Sequence, residues 1–120
     1  SFDEFDILNW KPFPQENKFD VVVSNPPYIP EFDKKIMHKN VLDYEPKSAL
    51  FVPDDNPLVF YKAIADFSLI NLSKQGKLYL EIHESYGREV IQMLQQFGYG
   101  NIELRKDLQG KDRMIKASLI

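Results

Sequence analysis

Blocks of apolar residues along the chain predict strands and helices in alternation. Residues 19–24, Phe-Asp-Val-Val-Val-Ser, are almost continuously apolar and β-branched, a pattern typical of a strand covered on both faces in a parallel sheet. We therefore predict a central strand there. Residues 29–55 mix charges, prolines and scattered apolar positions, which predicts a long irregular connection with a short helical turn near residues 34–39. Connections of this length inside a compact domain are usually functional.

The next apolar block has the spacing of an amphipathic helix. Its apolar residues recur every three or four positions and so share one face. They include Phe60, Ile64, Phe67 and Ile70. Asp55 or Asn56 before Pro57 is typical of a helix start, because an Asx side chain accepts a backbone N–H and proline has none to lose. With Gly76 as its terminator, the helix is predicted to run to about Lys74 and to lie flat on a sheet.

The rest of the chain predicts a strand, a helix and a closing pair of strands. Residues 78–82 have strand character, and Ser85 is a candidate cap for a helix that Gly98 ends. Two further strands, over 101–106 and 113–119, are joined by a connection short enough for an antiparallel hairpin. This order predicts an α/β fold, one half of a doubly wound sheet ending in an antiparallel strand pair. In such folds ligands bind beyond the carboxyl ends of the parallel strands.

Composition limits the classes of function. With 120 residues, 43% of them hydrophobic, the chain fits a single domain. The sequence has no cysteine, which excludes disulfides and thiolate metal sites, and its two histidines, His38 and His83, are far apart. A formal net charge of −3 gives no support for a nucleic-acid partner. No stretch approaches the roughly 20 apolar residues that span a bilayer, and no signal peptide is recognisable, so we expect a cytoplasmic protein without membrane contact.

A stiff polar turn directly after the first predicted strand is the strongest chemical signal. It consists of Asn25, Pro26, Pro27 and Tyr28. Both prolines fix φ and have no N–H, so the turn offers carbonyl acceptors without competing donors from the same residues. The Asn25 amide and the Tyr28 ring add a polar and a planar surface. This combination suits a planar nitrogen nucleophile.

Three segments of the chain carry a family resemblance. They are Asn25-Pro26-Pro27-Tyr28-Ile29, Tyr44-Glu45-Pro46 with Ala49-Leu50, and Asp107 with Gly110 and Arg113. Together they resemble the protein-(glutamine-N5) methyltransferases that act on peptide chain release factors. The first segment alone is shared with enzymes that methylate adenine and other amino groups. The resemblance implies a Rossmann-like class I methyltransferase fold, S-adenosylmethionine as methyl donor, and the glutamine of a Gly-Gly-Gln tripeptide as acceptor.

The resemblance also implies roles for individual residues. The side-chain oxygen of Asn25 and the carbonyl of Pro26 would accept the two amide hydrogens of the glutamine, and Tyr28 would pack against the amide plane; these three are the predicted catalytic residues. The predicted substrate-binding residues are Asn25, Pro26, Pro27, Tyr28, Ile29 and Glu45. The residues predicted to border the donor are Asn9, Trp10 and Asn25.

The resemblance covers only part of the family's catalytic domain. Residues 1–120 resemble its carboxyl-terminal half, because the glycine-rich loop and the acidic residue that hold the donor are not in the sequence. Close backbone approach to the donor needs glycine, so we expect the chain by itself to be inactive and not to bind the donor. Since the sequence begins with Ser1 and not with methionine, we expect a single partial domain of a longer protein. Strand 19–24 would then have an exposed edge that favours self-association.

Two other functions remain open at this point. The same turn could hold an exocyclic amino group of adenine or guanine in DNA or RNA, or the chain could be a non-catalytic binding fragment. Acidic charge and the segment around Glu45 favour a protein substrate over nucleic acid. For Glu45 and Glu81 the functional and structural interpretations weigh equally, whereas an ordinary ion pair is favoured for Arg113.

Overall fold

The computed structural model describes residues 4–10, 18–27, 29–30, 51–52 and 56–120. Six strands and two α-helices lie in these ranges. The strands are β1 at Phe19–Ser24, β2 at Ile29–Pro30, β3 at Phe51–Val52, β4 at Leu72–Glu81, β5 at Tyr99–Lys106 and β6 at Asp112–Leu119. The helices are α1 at Val59–Asn71 and α2 at Gly87–Phe97.

Four of the strands form one sheet in the spatial order β1, β4, β6, β5. Strands β1 and β4 are parallel, whereas β6 runs antiparallel to both of its neighbours. The predicted α/β sheet with a closing antiparallel hairpin is therefore confirmed. The short strands β2 and β3 form a separate parallel pair.

Both helices cover the same face of this sheet. Leu78 and Leu80 of β4 are fully buried, and they lie opposite Ala117 and Ile115 of β6. The same core contains side chains from both helices, namely Tyr61, Ile64 and Ala65 from α1 and Val90, Met93 and Leu94 from α2. Removal of this apolar surface from water, at about 25 cal/mol per Å², is the main force that holds the helices on the sheet.

No described helix packs against the other face of the sheet, and we call it the uncovered face. The register places Val21 and Val23 of β1 beside Lys77 and Tyr79 of β4, on the side opposite the buried leucines. Val21 is 52% exposed and Val23 is 69% exposed. Among the described residues β1 lies at an edge of the sheet, so the predicted central strand covered on both faces is not found in them and stays a prediction for a longer protein. A continuous apolar run indicates a strand but does not identify its neighbours.

Helix α1 is shorter than the sequence predicts. It begins at Val59, two residues after Pro57, and its cap residue Leu58 makes no side-chain capping bond. It ends at Asn71, because Leu72 is already extended and opens β4. Gly76, the predicted terminator, lies inside β4, where an added Cβ would be 2.8 Å from a Leu72 methyl carbon. The glycine allows close approach of neighbouring atoms here instead of ending a helix.

The start of α2 also differs from the prediction, whereas its end agrees. A short 3-10 turn at Glu84–Tyr86 precedes it, and the backbone N–H of Ser85 donates to His83 Nδ1 at 3.0 Å. The predicted cap at Ser85 is therefore wrong: His83 caps the 3-10 turn, and α2 follows with Tyr86 as its cap residue and no side-chain capping bond. Gly98 ends the helix in the left-handed region, with φ 98°, as predicted.

None of the helices in the described ranges is long and apolar enough to cross a membrane. The predicted helical turn at residues 34–39 lies outside those ranges.

Candidate functional site

A cleft opens at the carboxyl end of β1, where the sequence predicts a binding site. Its volume is about 620 Å³, which lies in the usual range for small-molecule sites. The residues that line it come from the end of β1, from the turn that follows, from α1 and from the amino-terminal segment: Phe5, Asp6, Ile7, Val22, Val23, Ser24, Asn25, Pro26, Pro27, Phe60, Ile64 and Phe67. Asn25, Pro26 and Pro27 of the predicted turn thus border the cleft, and ligand binding there stays a prediction.

The turn joins the cleft directly to the rigid sheet. Ser24, the last residue of β1, pairs with Leu80 of β4, so that Asn25 leaves the sheet level with Glu81. Pro26 is buried, whereas Asn25 is exposed and lines the cleft. Because a buried proline follows it, the backbone of Asn25 is restricted to extended angles at the edge of the cleft. Such preorganisation is what a site that orients a small polar group requires.

The opposite wall of the cleft is formed by the segment around a 3-10 turn at Ile7–Asn9. Asp6 caps this turn, and its Oδ1 accepts a hydrogen bond from the Leu8 N–H at 2.9 Å. Asp6 and Ile7 line the cleft, and the Asp6 side chain is exposed. The sequence analysis did not single out Asp6. Aspartate is a preferred cap residue, and its position before Ile7 and Leu8 is the signal that could have indicated it.

Asn9 and Trp10, the predicted donor-binding residues of this segment, do not line the cleft. Asn9 is exposed. The Trp10 ring is half-buried and meets the Phe67 ring edge-on, with their centroids 5.4 Å apart. Trp10 therefore packs against Phe67, a residue of the cleft wall, and its contact with a donor remains a prediction.

Phe67 is the centre of an aromatic cluster that shapes the apolar side of the cleft. Its ring stacks on Phe5 at a centroid distance of 5.7 Å and on Phe19 at 6.3 Å, in addition to the Trp10 contact. Such pairs contribute about 0.5–1.5 kcal/mol each beyond the area that they bury. The cluster ties the amino-terminal segment and β1 to α1.

The carboxyl end of β4 lies next to the turn and is held by buried groups. The backbone N–H of His83 donates to the hydroxyl of Tyr61, a fully buried residue of α1, at 3.2 Å. The N–H of Ile82 donates to the Arg113 carbonyl at 2.8 Å. Glu81 is half-buried and lies opposite Met114. These bonds fix the strand end beside Asn25.

Asp107, Gly110 and Arg113, which contribute to the family resemblance, lie together in and beside the β5–β6 turn. Oδ1 of Asp107 accepts from the N–H groups of Gln109 and Lys111 at 2.8 and 3.0 Å, and Gly110 has a positive φ of 80°. The Arg113 Nε donates to Asp107 Oδ2 at 3.4 Å. The Lys111 N–H, followed by that of Gln109 and by Arg113, lowers the pKa of Asp107 below its usual value. This arrangement supports the ion-pair interpretation of Arg113.

Some predicted site residues lie outside the described ranges. They are Tyr28 and Glu45, together with the neighbouring Tyr44, Pro46, Ala49 and Leu50. Ile29 is described only as the first residue of β2, paired with Phe51.

Several curated proteins similar to this chain share one name. A release factor glutamine methyltransferase of Flavobacterium psychrophilum is 46% identical over 118 residues, which is 98% of this chain and 41% of that protein. The protein of the same name from Bacteroides thetaiotaomicron is 46% identical over 104 residues, which is 87% of this chain and 37% of that protein. The chain thus spans about two-fifths of the length of these relatives. A bifunctional methyltransferase of Rickettsia bellii is 39% identical over 93% of the chain.

A solved structure shares the fold. It is a release factor-specific protein-(glutamine-N5) methyltransferase of Alicyclobacillus acidocaldarius, which matches with a TM-score of 0.53 and 24% identity over 85% of this chain and 49% of that one. No protein-family model matches the chain. The resemblance predicted from the motifs is confirmed: this chain is similar to the release factor glutamine methyltransferases over a part of their length.

Proposed function

We propose that the protein carrying this chain transfers a methyl group from S-adenosylmethionine to the side-chain amide nitrogen of the Gly-Gly-Gln glutamine in peptide chain release factors. The observation that carries the proposal is the position of Asn25, Pro26 and Pro27, which open into the cleft at the carboxyl end of β1. The 46% sequence identity with two curated release factor glutamine methyltransferases supports the choice of substrate. Because release factors act at the ribosome, this substrate also favours a cytoplasmic location.

The cleft residues fit part of a donor such as S-adenosylmethionine. Phe5 and Phe67 offer an aromatic, apolar wall for a planar ring, while Asp6 and Asn25 offer acceptors for its polar groups. When bound, the donor supplies a methyl group made electrophilic by the sulfonium. We add Asp6 to the predicted donor contacts Asn9, Trp10 and Asn25, because Asp6 lines the cleft.

The turn would act on the acceptor nitrogen by orientation. An amide nitrogen is a weak nucleophile, since its lone pair is delocalised into the carbonyl group. If the Asn25 side-chain oxygen and the Pro26 carbonyl accept its two hydrogens, the lone pair is directed at the methyl carbon, and both dipoles favour the positive charge that develops on nitrogen. Tyr28 would cover the amide plane and exclude water. The other predicted neighbours of the substrate are Pro27, Ile29 and Glu45.

The magnitudes favour orientation and fixed dipoles over a general base. Positioning of reactants contributes about 7–11 kcal/mol in favourable cases. Loss of one preorganised polar group commonly lowers the turnover rate about 100- to 1000-fold. An amide that loses no proton before the transfer needs acceptors for its hydrogens and gains little from a strong base.

The test uses the complete polypeptide that contains this sequence, labelled donor, and three acceptors: a release factor, the same factor with its Gly-Gly-Gln glutamine replaced by alanine, and a mixture of DNA and RNA. We expect label only in the unaltered release factor. Label in nucleic acid alone would reject the proposal in favour of an amino-group methyltransferase of adenine or guanine.

A substitution in the turn tests the role of Asn25. Asn25→Ala should lower the single-turnover rate about 100-fold or more with donor affinity nearly unchanged. Asn56→Ala is the matched control, because Asn56 is an exposed asparagine that does not line the cleft. A near-normal rate for Asn25→Ala would remove Asn25 from the mechanism. The 120-residue chain alone should transfer no label.

A further inference from the structure

The β5–β6 turn lies at the same edge of the sheet as the turn that begins at Asn25. Ser24 pairs with Leu80, so β1 and β4 end together. Glu81, the last residue of β4, pairs with Met114 near the start of β6. We call this edge, at which β1 and β4 end, the ligand edge. Neighbouring strands are about 4.8 Å apart, so the sheet order places the β5–β6 turn about 10–14 Å from Asn25 along the ligand edge.

Hydrogen bonds within the β5–β6 turn fix its backbone. The Asp107 N–H donates to the Lys111 carbonyl at 2.8 Å, and the Gly110 N–H donates to the Asp107 carbonyl at 3.0 Å. Oδ1 of Asp107 also accepts from the Gln109 and Lys111 N–H groups. Because these bonds already order the turn, binding of another molecule to it costs little further conformational entropy.

Leu108, which follows Asp107 in this turn, is an apolar side chain held away from the core. It is 107% exposed and does not belong to the hydrophobic cluster that the described residues form. Single exposed apolar side chains are common and need no function. Leu108 differs from them because a rigid turn presents it at the ligand edge. Burial against another molecule would remove its whole side chain from water.

The cationic side chains around Leu108 are paired with carboxylates. The pairs are Arg105 with Glu103 at 3.4 Å, Lys106 with Asp112 at 2.8 Å, Lys111 with Glu84 at 3.7 Å and Arg113 with Asp107 at 3.4 Å. Nucleic acid is bound mainly by cations that neutralise its phosphates. Paired cations around an exposed leucine therefore favour a protein partner with an apolar surface over nucleic acid.

We propose that the β5–β6 turn is a second contact surface for the release factor, in which Leu108 enters an apolar depression of that protein while its glutamine lies at Asn25. This inference rests on the proposed function. A protein interface of ordinary size covers about 800 Å² on each partner, which corresponds to a patch of about 16 Å radius. A release factor centred on Asn25 therefore reaches the β5–β6 turn.

The test measures methylation of the release factor by the complete polypeptide that contains this sequence. Leu108→Gln keeps the length of the side chain and removes its apolar end. KM for the release factor should rise about tenfold or more, with kcat and donor affinity nearly unchanged. Leu108→Met keeps an apolar side chain of similar volume and should keep KM within about twofold. A disturbance of the acceptor site itself would lower kcat instead.

Binding is measured separately with the release factor in which alanine replaces the Gly-Gly-Gln glutamine, because no transfer then occurs. Leu108→Gln should raise its dissociation constant by a factor similar to that for KM and should leave the affinity for single-stranded RNA unchanged. Ile70→Gln is the matched control. Ile70 is 50% exposed and lies at the opposite edge of the sheet, where α1 ends and β4 begins. Its substitution should leave KM and the dissociation constant unchanged.

Four results would overturn this inference. One is a normal KM and a normal dissociation constant for Leu108→Gln while the release factor is methylated, a result that leaves the proposed function intact. Another is a rise in KM that Leu108→Met reproduces in full. A third is weaker binding of RNA in place of weaker binding of the release factor. The fourth is a fall of more than about 4 °C in the thermal midpoint of Leu108→Gln, since another segment of the polypeptide would then cover Leu108. If the unaltered polypeptide puts no label into the release factor, the proposed function itself is rejected.

Discussion

Truncation of Phe67 should both destabilise the protein and disturb the cleft wall. Phe67 is only 7% exposed and contacts the rings of Phe5, Trp10 and Phe19. Phe67→Ala should cost about 3–5 kcal/mol, the usual range for removal of a buried phenylalanine. Phe67→Leu keeps most of the buried apolar surface and loses mainly three ring contacts. At about 0.5–1.5 kcal/mol each, we expect a loss of about 1.5–4.5 kcal/mol, smaller than that of Phe67→Ala.

Urea unfolding measures the loss of stability, and intrinsic fluorescence reports whether the environment of Trp10 changes. Trp10 is the sole tryptophan of the sequence, so its emission reports on the Phe67 contact. Phe67→Ala should shift the emission of the folded protein to longer wavelength, as water reaches the indole. Phe97→Ala, which removes a half-buried ring of α2, is the control that should lower stability without that shift. A loss below about 1 kcal/mol with unchanged emission would refute the cluster, since removal of a buried phenylalanine cannot be so mild.

Three smaller predictions test the supports of the site. Tyr61→Phe removes the hydroxyl that accepts the His83 N–H, so stability should fall by about 1–3 kcal/mol and the His83 amide should exchange faster with deuterium. The lowered pKa of Asp107 contributes stability above the unfolded pKa, and this contribution is lost as the pH falls through the folded pKa. Asp107→Asn should therefore flatten the acid dependence of unfolding below about pH 4; an unchanged slope would contradict this. Gly98→Ala should cost about 1–2 kcal/mol, because alanine resists the positive φ although no atom lies within 4 Å of its Cβ; equal stability in thermal unfolding would be the contrary result.

Several features of the protein follow from short-range properties of the sequence. The apolar run at Phe19–Ser24 was predicted with the bounds that β1 has, and Gly98 ends α2 as predicted. The β5–β6 hairpin was predicted within two residues at each end. Each depends on side-chain pattern or backbone freedom over a few neighbouring residues. The acceptor chemistry of Pro26 and Pro27 is likewise a covalent property of the residues themselves.

Tertiary contacts decided what local pattern could not. Residues 72–74 have helical spacing, but Leu72 is almost fully buried in the core as the first residue of β4. Helix α1 therefore ends at Asn71. Asp6 lines the cleft and Asn9 does not, because the packing of the amino-terminal segment against α1 determines which side chains face inward.

The sequence alone determined which segments form strands, which form helices, and which acceptor groups follow β1, because those properties arise between residues close in the chain. Only the tertiary structure decided that β1 lies at the edge of the described sheet with one face exposed, and that α1 forms a wall of the cleft. The physical reason is that burial depends on which distant segments meet, and an apolar run packs equally well against many partners.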